Sequence, residues 1–270
     1  NVMKKGFTLA ELMAVIVIMA ILALIIIPTV DKDLKEGKEK LYNKSIETIE
    51  SALDLFMTNY NLNNNESIKL SLYQLKELGY LDPEIKNPNT KDYFFNDSII
   101  TISKLNDKIS YDISIEGTNI RKYENLPIID ITAVDIVELG SEYEIKEVTS
   151  KFNDTYIMTT HTGTVDTNTV GSYFIKYEVK HENYVNVSYK TVLVRDTTPP
   201  TVTFNKLSIP YDSINSYDFK SDINASDLSG IKNIEVITNF GPIKGDYSVK
   251  YIVTDNYDNE TIKYRTVTVY

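Results

Sequence analysis

The sequence predicts an α+β chain. A long N-terminal helix, transmembrane in its first half and amphipathic in its second, is followed by a small antiparallel sheet and then by two all-β sandwiches. Three observations lead there. Phe7 to Ile27 is an apolar run holding one charge, Glu11. Apolar residues then recur at helical spacing from Leu34 to Tyr60, and beyond residue 127 the chain alternates apolar and polar residues and repeats itself.

The apolar run comes first. Its 21 residues, at about 1.5 Å each, match a hydrocarbon core of about 30 Å. Lys4 and Lys5 precede it, and Asp31, Lys32 and Asp33 follow it, so the positive-inside tendency leaves residues 1–6 in the cytoplasm and the remainder outside. A secretory signal would have a shorter apolar region followed by a small-residue cleavage site. Here the small residue, Gly6, lies between the lysines and the run. A carboxylate in a bilayer costs several kcal/mol unless it is paired or reaches the headgroups, so Glu11 marks a partner more often than an accident.

The stretch KKGFTLAEL, with its basic leader, Gly-Phe-Thr-Leu and spaced glutamate, resembles the cleavage and methylation signature of type IV prepilins and pseudopilins. The resemblance implies that a membrane prepilin peptidase cuts between Gly6 and Phe7 and that the new amino terminus on Phe7 is methylated. It makes Glu11 the subunit-assembly contact, pairing with the Phe7 ammonium of a neighbouring subunit. It also makes Pro28 a helix-kinking proline. Met3 could be the start, which would give a leader of four residues, Met3 to Gly6.

After Pro28, the residues Leu34, Leu41, Ser45, Ile49, Ala52, Leu53, Phe56 and Tyr60 form one helical stripe that needs a surface to pack against. NLNNNES ends that helix, and SLYQLKELG reads as a short helix ending at Gly79. SIITISKL and KISYDISIEG alternate around Asn106-Asp107 as a β-hairpin does. A long helix covered by such a sheet resembles the pilin fold, and residues 31–120 resemble a compact pilin headgroup.

In the last part, GSYFIKYEV (Gly171 to Val179) matches GDYSVKYIV (Gly245 to Val253) at an offset of 74. YKTVLV (Tyr189 to Val194) matches YRTVTV (Tyr264 to Val269) at 75, and LPIIDI matches PPTVTF at 73. Tyr173, Ile175, Tyr177 and Val179 point one way, as do Tyr247, Val249, Tyr251 and Val253, while Lys176 and Lys250 point the other. Each copy reads as a β-sandwich and resembles the bacterial Ig-like modules of surface proteins, including hyalin-repeat-like ones. The expected organisation is a leader at 1–6, a transmembrane or filament-core helix at 7–30, a headgroup at 31–120 and modules at 127–195 and 196–270. Asp196-Thr-Thr-Pro-Pro200 is read as a stiff linker between the modules.

Composition narrows the function. The net charge is −10, and since Lys4, Lys5 and Glu11 leave +1 on the first thirty residues, the rest carries −11. Such a body repels phosphate backbones, so no direct nucleic-acid contact is expected. There is no cysteine, which removes disulfides and thiolate metal sites. His161 and His181 have no metal-ligand spacing and read as surface histidines. Asp222, Asn224 and Asp227, or Asp255, Asn256 and Asp258, could offer oxygen ligands to calcium, although such turns more often bond to themselves; no metal site or cofactor is assigned. No phosphate loop, nucleophile elbow or carboxylate pair is present, so no catalytic residue and no enzyme are expected. No Lys, Asn and acidic triplet singles itself out for an isopeptide bond.

The expected function is a structural subunit, minor or at the tip, of a type IV pilus or related filament of a Gram-positive bacterium. It would sit in the membrane as a single-pass protein before assembly, then display its modules at the cell surface for adhesion, with other pilin subunits as partners and the surface ligand unknown. The alternatives are a pseudopilin of a secretion or DNA-uptake machine and an anchored surface protein that never polymerises.

Overall fold

The computed structural model describes residues 9–118, 122, 124, 126–182 and 184–270, and within the first helix the side chains at 10, 23–29 and 31 lie outside that description. One helix, α1, runs unbroken from Leu9 to Met57, through Pro28 and Gly37. Glu11 lies on this helix. Only the last turns of α1 meet a surface. Ile49, Ala52, Leu53 and Phe56 are buried against Ile68, Leu70, Ile100 and Ile102 of a three-stranded sheet.

The stripe expected from Leu34 onward is corrected here. Leu34 and Leu41 are 59% and 57% exposed, and the partly buried residues that extend the core toward the N-terminus are Tyr42 and Ile46. The sheet is too short to reach further. Among the described residues no helix is long and apolar enough to cross a membrane. That description takes in only part of the run from Phe7 to Ile27, because position 10 and positions 23–29 fall outside it.

The sheet has the order β1-β2-β3, with β1 at Ser67–Ser71, β2 at Ile99–Leu105 and β3 at Lys108–Ser114. The β2–β3 hairpin is the one its alternation predicts, whereas β1 is not predicted from the sequence. At the hairpin tip Asn106 and Asp107 both have positive φ, 50° and 59°, as a two-residue turn matched to strand twist requires. The short helix α2, Leu72–Glu77, begins with a reciprocal cap between Ser71 and Gln74 and ends at a left-handed Gly79.

Lys76 of α2 is buried, with Nζ 2.8 Å from Asn96 Oδ1. Burial pushes its ammonium down to about 8, against the opposing pull of the Glu84 and Asp82 carboxylates. A lysine whose folded pKa is depressed weakens the fold while it is charged, so stability rises as pH climbs from about 8 toward 10.5. Above about pH 10 the tyrosines raised by burial, such as Tyr143, give up stability in the opposite sense. Denaturant midpoints are therefore expected to rise between pH 8 and 10, by on the order of 1–2 kcal/mol, and Lys76→Met is expected to flatten that rise. A wild-type curve already flat over this window would remove the assignment to Lys76.

Residues beyond 126 form two copies of one β module. In the first, a three-stranded sheet, β4-β6-β7, faces a four-stranded one, β5-β10-β9-β8. These strands are β4 Ile128–Ile129, β5 Val134–Glu138, β6 Thr149–Phe152, β7 Thr155–Met158, β8 Thr160–Thr162, β9 Gly171–His181 and β10 Tyr184–Arg195. In the second, β11 (Thr201–Phe204) pairs with β13 (Ile223–Ser226), beside a sheet ordered β12-β16-β15-β14. There β12 is Leu207–Ile209, β14 Ile231–Ile237, β15 Gly245–Asp255 and β16 Glu260–Val269. The repeat seen in the sequence lands on equivalent strands, since β9 and β15 begin at the matched glycines. The copies also share an unusual pairing: β5 runs parallel to β10, and β12 parallel to β16.

The cores follow the alternation. Ile175, Tyr177 and Val179 pack with Ile129, Val192 and Val194 in the first module. Val249 and Tyr251 pack with Ile209, Phe219, Val267 and Val269 in the second.

Candidate functional site

The N-terminal half of α1 has the clearest chemical character. Every described side chain in 11–22 is exposed, and all but Glu11 in that stretch are apolar or alanine. Leu9, Met13 and Met19 are among the most exposed large apolar residues of the chain. An apolar surface of this extent on one helix needs a lipid phase or other helices around it. Glu11 lies on this rod. Gly6 and Phe7 lie outside the described residues. Pro28 lies within α1, which continues through it, and its side chain is not described.

At the other end of α1 the headgroup and the first module are joined, which the sequence reading did not anticipate. The outer edge of β1 donates from Ser67 N to Ser172 Oγ (2.9 Å) and from Lys69 N to Thr191 Oγ1 (3.0 Å). The Gln74 side chain accepts from Tyr189 N at 2.8 Å and donates to Tyr189 O at 2.6 Å, a strand-like pairing made by an amide side chain. Ser71 Oγ donates to Val187 O at 2.7 Å. The Lys69 ammonium lies 4.7 Å from the centre of the Phe174 ring.

An ion pair closes this interface. Arg195 donates through Nε to Glu66 Oε1 at 2.7 Å and through Nη2 to Glu66 Oε2 at 2.6 Å, and also to Asn61 O. The Glu66 side chain is 5% exposed, so this is a desolvated, two-pronged pair. Leu193 of β10 enters the headgroup core beside Leu53 and Ile68. As a result β10 is buried on both faces, whereas its counterpart β16 alternates between buried and exposed positions. The paired tyrosines show the difference: Tyr189 is 8% exposed and Tyr264 is 64% exposed.

The joint between the modules is also ordered. Glu138 accepts four hydrogen bonds from the linker, from the amides and the hydroxyls of Thr197 and Thr198. Asn259 donates to Asp196 O, and Thr261 to Pro200 O.

The polar residues singled out in the sequence are placed as follows. His161 and His181 are half-buried, against Tyr177 and Phe152 respectively, rather than free on the surface. Asp222 is taken by Tyr217 (2.9 Å) and Arg265 (2.8 Å), which hold its carboxyl below the usual range. Asp258 pairs with Lys232. Asp227 and Asp255, one from each sequence cluster, come together with Asp196, which the sequence reading had placed only in the linker.

Comparison with known proteins adds one firm assignment. Residues 2–27 match the prokaryotic N-terminal methylation motif, the signal of type IV pilins. This motif supports a type IV pilin-like or pseudopilin-like protein, and it implies processing by a prepilin peptidase and assembly with other pilins. The match spans the basic leader and the apolar run. None of the curated proteins matches the chain. Among solved structures, the chain is similar to the lipoprotein BT2262 from Bacteroides thetaiotaomicron, at 14% identity and a TM-score of 0.25 over 52% of this chain and 99% of that one. It is also similar to an endo-fucoidan hydrolase from glycoside hydrolase family 107, at 11% identity and a TM-score of 0.21, over 64% of this chain and 33% of that one. With TM-scores this low, neither bears on fold or function.

Proposed function

We propose that the protein is a structural, non-catalytic subunit of a type IV pilus or related filament. The rod of α1 is held in the membrane before assembly and packs in the filament core afterward. The headgroup carries two Ig-like modules outward for contact with surfaces. The observation that carries this reading is the methylation motif at 2–27, whose described residues 11–22 are helical and all exposed. The rod requires an apolar surrounding, and the motif supplies the chemistry that converts a membrane helix into a polymerising one.

The modules extend the headgroup by some 140 residues, which would crowd a shaft in which every subunit carried them. A minor or tip position follows. The joined headgroup and first module favour that position too, because a stiff arm holds its far end away from the shaft.

Glu11 tests the proposal. Its carboxylate is assigned to the methylated Phe7 ammonium of a neighbouring subunit. Glu11→Gln keeps the shape and removes the charge, so the chain should still be cut and methylated, as mass spectrometry of the mature N-terminus would read. Its share in sheared filaments should fall by on the order of tenfold, as expected for losing one charge pair of about 1.4 kcal/mol or more. Wild-type incorporation of the Glu11→Gln chain would overturn the assignment. Absence of the wild-type chain from sheared filaments would overturn the filament reading itself.

A further inference from the structure

We propose that Asp196, Asp227 and Asp255 form a calcium site at the joint between the two β modules. The three residues come from separate places. Asp196 is the first residue after β10, where the first module ends. Asp227 follows β13, and Asp255 closes β15, so the second module supplies the other two. One carboxylate oxygen from each lies within 4.8 Å of the others.

Burial makes this cluster more than a group of surface acids. Asp255 is fully buried and Asp196 is 8% exposed. Asp196 Oδ1 accepts from Thr198 N, but its Oδ2 is buried with no hydrogen-bond partner among the described residues. A buried carboxylate oxygen without a donor is costly, and two further carboxylates beside it raise the cost through like-charge repulsion. Arg195, beside Asp196 in the chain, is engaged with Glu66, and Lys232 is engaged with Asp258. Glu138, at the same joint, has four donors, so the linker can satisfy an acid where no cation is needed.

The remaining valences suit a metal. Ser229 engages only Oδ1 of Asp227, through its amide and hydroxyl at 2.8 Å each. Asp255 is oriented by Tyr257 N, Asn259 N and the Asn259 side chain, which hold the carboxylate in place as outer-shell donors do. The donor set is oxygen only, which selects a hard cation over zinc or copper. Three carboxylates drawn from irregular loop positions fit calcium, which accepts six to eight oxygens in adaptable geometry and completes its shell with carbonyls and water. Magnesium demands a near-ideal octahedron.

The loop of Asp227 already touches the first module. Leu228 lies over Gly140 in the turn after β5, so close that a Cβ at Gly140 would sit 2.3 Å from Leu228 Cδ2. A cation here would therefore tie the end of one module to two loops of the next, and its removal would loosen the joint.

The test uses the full chain in detergent micelles, stripped with EDTA and titrated with calcium chloride in a calorimeter. One equivalent should bind, with a dissociation constant of about 10⁻⁴ to 10⁻³ M, the range of extracellular calcium modules. Asp227→Asn and Asp255→Asn should each weaken binding at least tenfold. Hydrogen exchange of the wild-type chain, with and without calcium, should slow in residues 196–198 and 227–230, and this reading stands even if a variant fails to fold. No binding at about 10 mM calcium, unchanged affinity in folded variants, or slowing confined to other segments would each overturn the proposal.

Discussion

A Gly6→Val chain produced together with a prepilin peptidase is expected to keep its leader and to be absent from filaments. The proposed cut between Gly6 and Phe7 places a residue with no side chain before the scissile bond, and valine puts a branched isopropyl group there. Intact-mass measurement of membrane fractions would show the leader retained, with Phe7 unmethylated because its amine is still in a peptide bond. The loss should approach completeness rather than a few-fold decrease. If Gly6→Val and wild-type chains gave the same mature mass, processing would lie elsewhere or not occur, and a simple anchored protein would be the better reading. Gly6→Val acts before assembly and Glu11→Gln after it, so together they separate processing from packing.

The second large effect belongs to the joined headgroup and first module. Arg195→Ala leaves the Glu66 carboxylate 5% exposed without its guanidinium. Removing one partner of a buried pair costs about 3–5 kcal/mol, most of it the penalty on the charge left behind. The melting temperature of the unit formed by headgroup and first module should fall by roughly 10 °C at that cost. Replacing both residues, Glu66→Met with Arg195→Met, should recover most of the loss, since an apolar pair of similar volume does not strand a charge. A shift of under about 1 °C in Arg195→Ala would mean that the pair is solvated and that the two units are not coupled through it.

The parts legible in the sequence were those set by local rules. The methylation motif lies within one short stretch, residues 2–27, the asparagine-aspartate pair at 106–107 specifies its turn, and the repeat lies in alternation alone. What the sequence did not disclose arises where distant segments meet. Leu34 and Leu41 have the spacing of a buried stripe, but burial depends on how far the sheet extends. Strand β1 is five residues long and was hidden beside the stronger helix signal of SLYQLKELG.

The docking of β10 left one faint trace: Leu193 stands where the second copy has Thr268, an apolar residue on a face that would otherwise meet water. Asp196 read as a linker residue because its partners, Asp227 and Asp255, follow it by 31 and 59 positions.

The parallel pairing of the second and last strands of each module has a mechanical consequence. In the first module β5 lies beside β10 from Val134 opposite Thr191 to Glu138 opposite Arg195. Tension entering at the start of β5 and leaving at the end of β10 slides the two strands past each other, so the load falls on all five residue pairs at once. A hairpin pulled from its open end would instead lose its bonds one after another. The second module repeats the arrangement with β12 and β16, from Leu207 opposite Val267 to Ile209 opposite Val269. Each module thus carries a shear clamp between its second and last strands, and under tension the lifetime of that part is set by the rate at which the clamp ruptures rather than by its equilibrium stability.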